Sequence, residues 1–164
     1  MPPLGRFDWS RLNRHQVGRY AEYFVKMEFT MHGFQVYTAE VDDRGIDFVA
    51  RHGQGQFFEV QVKSLRDRGY IFIQKEKTRL SDDRLAAVVL FTEGKAPDLF
   101  LIPMTAWKTP NALLVDHDYG SGKKSKPEFG INLSTKNREL LEPYRFHTVI
   151  GQLTDGSGSP PAGV

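Results

Sequence analysis

The feature that most constrains this chain is a pair of short segments, Gly45-Ile46-Asp47-Phe48-Val49-Ala50 and Phe57-Phe58-Glu59-Val60-Gln61-Val62-Lys63-Ser64. Both are rich in β-branched and aromatic residues, and Gly53-Gln54-Gly55 supplies a tight turn between them. They read as neighbouring strands. Side chains alternate along a strand, so Ile46, Phe48 and Ala50 share an apolar face, as do Phe58, Val60 and Val62. The opposite face carries Asp47 and Val49 on one strand and Phe57, Glu59, Gln61 and Lys63 on the other. Pairing through the short turn brings Asp47 beside the Gln61–Lys63 end, which gathers a carboxylate, an amide and an ammonium at one point.

The flanking sequence builds an α/β framework around this pair. Asn13 and Gln16 have the spacing of a capping box. A stripe of Val17, Tyr20, Ala21, Phe24, Met27 and Met31 then predicts an amphipathic helix stopped by Gly33. Residues 34–38 alternate as a strand, and Asp42-Asp43-Arg44-Gly45 reads as a turn. After a charged turn at 65–69, Tyr70-Ile71-Phe72-Ile73 is expected as a third hairpin partner. Residues 85–91 are apolar on both faces and predict a central buried strand. Residues 98–102 predict its neighbour, with Pro103 opening a short helix or turn that includes Trp107 as a core anchor. Residues 111–127 read as loop, 129–133 as a short edge strand, and Ser134 as the cap of a last helix ended by Pro143. This order predicts an α/β fold with a mixed sheet rather than a regular βαβ array.

Length and composition set the remaining bounds. A chain of 164 residues suits one domain, here residues 1–154, with a Gly/Ser/Pro-rich tail at 155–164 expected to be disordered. No apolar run approaches 18 residues and no secretory h-region opens the chain, so no membrane association is expected. Cysteine is absent, which removes disulfides and thiolate metal sites and fits a cytoplasmic location. The net charge of +2 permits nucleic-acid binding without demanding it.

The polar cluster suits phosphodiester hydrolysis. A hard divalent ion takes oxygen ligands from carboxylates, amides and main-chain carbonyls and keeps several waters. It lowers the pKa of one water and neutralises charge building on phosphoryl oxygens. Asp47 is the leading metal ligand, the carbonyls of Gln61 and Val62 are further ones, and Lys63 is the cation that stabilises developing charge.

These residues resemble the PD-(D/E)XK nuclease superfamily, the restriction-endonuclease-like fold. Asp47 matches its strand acid, and Gln61-Val62-Lys63 matches the Q-x-K form of its second motif. Upstream, Gly18-Arg19-Tyr20-Ala21-Glu22 and His32-Gly33-Phe34-Gln35-Val36 look like the opening helix and strand of Holliday-junction resolvases. The resemblance covers residues 13–75 and continues through 85–91. It implies a mixed central sheet flanked by helices, Mg²⁺ as cofactor with Mn²⁺ as substitute, DNA as substrate, a homodimer, and Glu22 as a further site acid. Two departures stand out. Gln61 replaces the commoner acid, which removes one negative charge, and no proline precedes Asp47. Glu59, on the same face, is a possible compensating ligand or half of a surface ion pair with Lys63.

Phosphate contacts are expected from Arg14, Arg19 and Arg44 near the first half of the site, from Lys75 and Lys77, and from Lys123 and Lys124. Each also suits a solvated surface. Gly120-Ser121-Gly122-Lys123-Lys124-Ser125 is not a P-loop, because His117 and Lys124 occupy positions that need glycine and Ser/Thr. Asp116-His117-Asp118 is adjacent rather than convergent, and the five histidines lack zinc spacing. The leading reading is a metal-dependent DNA endonuclease. The alternatives are a catalytically inactive nucleic-acid-binding or interaction module on the same fold, and a purely structural α/β protein.

Overall fold

The computed structural model describes residues 5–40 and 45–154. Within them, Asn13 closes a reciprocal capping box with Gln16 and opens α1, Arg14–Met31, an arrangement that contributes about 1 kcal/mol to such a helix. Gly33, at φ +85°, ends it and turns the chain into β1, Phe34–Thr38. The buried row of α1 is Val17, Ala21, Val25 and Phe29. Met27 and Met31, expected on the core stripe, are exposed instead. Buried positions four apart drift around the helix, so the contact row moves off the Met27–Met31 line.

β2, Phe48–His52, pairs antiparallel with both β1 and β3, Phe57–Arg66. It starts three residues later than the sequence predicts, leaving Gly45, Ile46 and Asp47 before the strand. β5, Arg84–Phe91, lies parallel to β3, and β6, Asp98–Pro103, returns antiparallel to β5. The result is a mixed five-stranded sheet ordered β1-β2-β3-β5-β6. All eight residues of β5 are buried, as expected of a strand covered on both faces.

The two faces of this sheet have different covers. Phe58 and Val60 of β3, Leu85, Ala87 and Val89 of β5, and Leu101 of β6 pack with α1 and the short α2, Phe146–Ile150. Leu65, Ala86, Val88, Leu90 and Ile102 point the other way, into a second core with Trp107 and a smaller sheet. That sheet contains β4, Gly69–Gln74, β7, Leu114–His117, and β8, Glu128–Leu133, in the order β4-β8-β7.

The second sheet corrects three expectations. β4 forms its ladder with β8 rather than joining β3 as a hairpin partner. β8 is a middle strand, not an edge, and residues 114–117 of the expected loop are its other neighbour. The tight reversal between β3 and β4, with Asp67 at φ +58°, lets the chain leave one sheet and enter the other. The helix expected after Ser134 is a 3₁₀ segment, Arg138–Tyr144, that contains Pro143. Trp107 anchors the second core as predicted, its indole N–H donating to the Gly130 carbonyl at 3.1 Å. The Asp42–Arg44 portion of the predicted turn and the tail at 155–164 lie outside the described residues. Among the described residues, no helix is long and apolar enough to cross a membrane.

Candidate active site

The site forms where β2 leaves β3. The ladder between them runs from the Arg51–Phe57 pair to the Phe48–Val60 pair. One residue earlier, the Asp47 amide donates to the Val60 carbonyl at 2.9 Å. The Asp47 carboxylate then accepts the Val62 amide at 2.6 Å. A side chain thus takes the hydrogen bond that a longer β2 would have supplied through its backbone. This fixes the carboxylate and spreads its charge onto a peptide dipole.

Main-chain directions alternate along β3. The Glu59 amide donates to Asp83 on the β5 side, whereas the Val60 carbonyl and Val62 amide face Asp47. The Val62 carbonyl therefore lies on the Asp47 side of the strand. The Gln61 main chain faces β5, so its side-chain amide is what reaches the site. That amide packs against Gly45, whose φ is +70°. A Cβ at Gly45 would come within 3.2 Å of Gln61 Nε2. Glycine here serves both the left-handed backbone and the close approach.

Gln61 and Lys63 open into a hollow of about 260 Å³ that Gly45, Phe72, Gln74 and Lys77 also line. Its far wall is β4 of the second sheet, running beside β3 without a ladder between them. Sequence reading did not associate Phe72 or Gln74 with the site. The signal in the sequence is the alternation that puts the aromatics Tyr70 and Phe72 on one face of β4, both exposed, but the surface beside them depends on how the two sheets meet.

The remaining candidates fall elsewhere. Glu59 is on the same strand face but is held by Arg84, whose Nε donates to Glu59 Oε2, with Arg79 at 3.6 Å. Arg84 is buried and also donates to the Lys77 carbonyl at 2.7 Å. Glu22 pairs with Arg19 at 2.9 Å and lines a separate hollow between α1 and Ser64, together with Arg14. Ser64 belongs to the opposite face of β3 from Lys63, so the strand stands between Glu22 and the Gln61–Lys63 hollow.

The basic residues also divide. Lys77 lines the hollow itself. Lys75 is engaged by Asp116, and by Asp118 at 3.1 Å. Burial works against its charge, yet the hydrogen bonds it donates to both carboxylates outweigh burial and raise its pKa. Lys123 and Lys124 are exposed on the segment between β7 and β8. Arg44 lies outside the described residues.

The donor chemistry around Asp47 fits a hard divalent cation that retains several waters, since it offers a carboxylate, an amide and a main-chain carbonyl. Among the described residues there is no group of three or more histidine or acidic side chains able to enclose a metal.

The architecture recurs in solved structures. A Holliday junction resolvase from the archaeal hyperthermophile Archaeoglobus fulgidus aligns with 82% of this chain and 95% of its own, at 15% identity and a TM-score of 0.50. A bacterial homing endonuclease aligns with 86% of this chain and 94% of its own, at 17% identity and a TM-score of 0.48. No family model matches the chain, and no curated protein matches it by sequence. The restriction-endonuclease-like fold implied by the sequence motifs is the fold the chain adopts.

Proposed function

We propose that this chain is a metal-dependent endodeoxyribonuclease whose centre is Asp47, Gln61, the Val62 carbonyl and Lys63. The observation that carries this reading is the Asp47 carboxylate on the Val62 amide, at the point where β2 leaves β3. It sets an acid beside the strand that presents Gln61 and Lys63 to an open hollow. The fold shared with the resolvase supports DNA as the substrate class.

In this reading Asp47, the Gln61 amide and the Val62 carbonyl would hold Mg²⁺ or Mn²⁺. When bound, the ion supplies an activated water and a counter-charge for the phosphoryl oxygens. Lys63 holds the scissile phosphate and stabilises charge on its non-bridging oxygens. Lys77, on the same hollow, adds a second cation for the phosphate backbone. Gln61, anchored against Gly45, orients through its amide without adding charge. Glu22 acts from across β3, through its effect on Arg19 and the phosphate path rather than on the reacting atoms. A homodimer would give one centre for each strand of a duplex.

The test is cleavage of labelled duplex, single-stranded and branched DNA with Mg²⁺ or Mn²⁺. Wild-type protein should cut at least one substrate. Asp47→Ala should lose that cutting while keeping its circular dichroism spectrum and a cooperative melting transition, lowered by the loss of the bond to the Val62 amide. A folded wild-type protein that cuts none of the three overturns the reading.

A second reading, a non-catalytic nucleic-acid-binding module, draws support from the small number of acidic groups among the described site residues and from the neutral Gln61. It expects DNA affinity that survives Asp47→Ala and needs no metal. Calorimetric titration with Mn²⁺ separates the two, because heat of binding that disappears in Asp47→Ala favours the nuclease.

A further inference from the structure

The outer face of the three-stranded sheet carries an aromatic surface that the proposed chemistry does not use. Strand alternation sends Ile71 and Ile73 into the second core and leaves Tyr70 and Phe72 facing out. These rings are 41% and 43% exposed. They lie 6.2 Å apart at an interplanar angle of 24°, so each presents a nearly parallel face to solvent.

The neighbouring strand is shaped to support this arrangement. Gly130 of β8 lies directly beneath Tyr70. A Cβ there would fall 2.3 Å from the Tyr70 hydroxyl and 2.5 Å from its Cε2. The missing side chain lets the ring lie flat across the sheet. Its hydroxyl donates to the buried carboxylate of Glu128 at 2.5 Å, and the Tyr119 hydroxyl donates to the same oxygen at 2.8 Å. Burial, reinforced by the Glu128 carboxylate, pushes the Tyr70 phenol well above its ordinary range, so it stays a donor. A ring held in this way loses little freedom on binding a planar ligand.

Charge surrounds the same two residues. Tyr70 lines a groove of about 600 Å³ together with Arg14, Arg66 and Arg68. Phe72 lines the hollow that contains Gln61, Lys63 and Lys77. The aromatic pair therefore stands between a groove with three arginines and the candidate active site. Exposed aromatics beside cations match an unpaired polynucleotide, whose bases stack on rings while its phosphates meet the basic groups. A duplex keeps its base faces covered and cannot use the rings in this way.

We infer that this face binds single-stranded DNA, with unpaired bases stacking on Phe72 and Tyr70, phosphates held by Arg14 and Arg68, and the strand leading toward Lys63. The inference rests on the reading of the chain as a DNA-acting protein but not on cleavage. Fluorescence anisotropy in EDTA, where no metal-dependent cutting occurs, tests it with a short fluorescein-labelled single strand and the matching duplex. Quenching of 2-aminopurine placed in the single strand reports stacking directly. Phe72→Ala should weaken single-strand binding by about tenfold or more and abolish the quenching. It should leave duplex affinity within about twofold, and Phe72→Trp should restore both signals. Tyr70→Phe retains the ring but removes its bond to Glu128, and should weaken single-strand binding by less than Phe72→Ala does. Equal single-strand affinity and quenching in wild type and Phe72→Ala, or equal losses for single strand and duplex, overturns the inference. A protein that cuts no DNA yet shows the Phe72-dependent signals leaves it standing while the nuclease reading falls.

Discussion

The two halves of β3 make the most informative comparison in the molecule. At one end Glu59 points from the same strand face as Gln61 and Lys63 at the other. In one dimension all three are polar residues in a strand that should be apolar. In the folded chain they have different surroundings. Glu59 meets the buried Arg84, which also closes onto the Lys77 carbonyl, so its charge belongs to the architecture. Gln61 and Lys63 open into a hollow beside an acid held on the Val62 amide. A polar residue in a strand becomes a candidate for chemistry when the fold leaves it space for a ligand.

Substitutions along this strand should separate the two ends. The largest effect is expected from Lys63→Ala, which should lower cleavage by about 10²–10³-fold, the usual cost of losing a charge stabiliser aimed at the transition state. Its thermal transition should stay close to wild type, and a large fall in melting temperature with unchanged turnover per folded molecule would place Lys63 with Glu59. Glu59→Ala should show the reverse pattern. It leaves the Arg84 guanidinium buried without its carboxylate and should cost about 2–3 kcal/mol. For a domain of this size that is a fall of roughly 5–10 °C in melting temperature, with turnover of the folded fraction retained.

Gln61→Glu sharpens the comparison from the other side. Restoring a carboxylate beside Asp47 should tighten Mn²⁺ binding by about tenfold in a calorimetric titration, since a second charged oxygen ligand strengthens a hard-ion site. No change in metal affinity would mean that the Gln61 amide does not face the ion. The smallest effect is expected from Glu22→Gln, because β3 separates this acid from the hollow. It should change cleavage by less than about fivefold, within the range of a partly exposed ion pair. A loss as large as that of Lys63→Ala would bring Glu22 to the reacting phosphate.

Legibility in the sequence followed the range of the interactions. The Asn13–Gln16 cap, the Gly33 stop and the doubly buried β5 depend on neighbouring residues or on a continuous apolar run, and all three are present as read. Periodicity placed α1 but chose Met27 and Met31 where Val25 and Phe29 face the core. A helix offers several adjacent rows, and the sheet beneath selects among them. The assignment of β4 to β8 was not legible, because residues 70–73 alternate as well for a hairpin with β3 as for a second sheet. The wall formed by Phe72 and Gln74 followed that assignment out of reach.

What the sequence determined by itself was therefore local and periodic: the cap, the strands, the inward and outward faces of β3, and the placement of Gln61 and Lys63 on the same one of them. Tertiary structure decided which of those polar groups are spent on one another. It brought Arg84 from β5 to Glu59, ended β2 so that Asp47 could take the Val62 amide, and set β4 across from Lys63 as the edge of a second sheet. The physical reason is that alternation fixes the direction of a side chain, whereas its partner comes from strands distant in sequence whose pairing is settled by burying both faces of the central sheet.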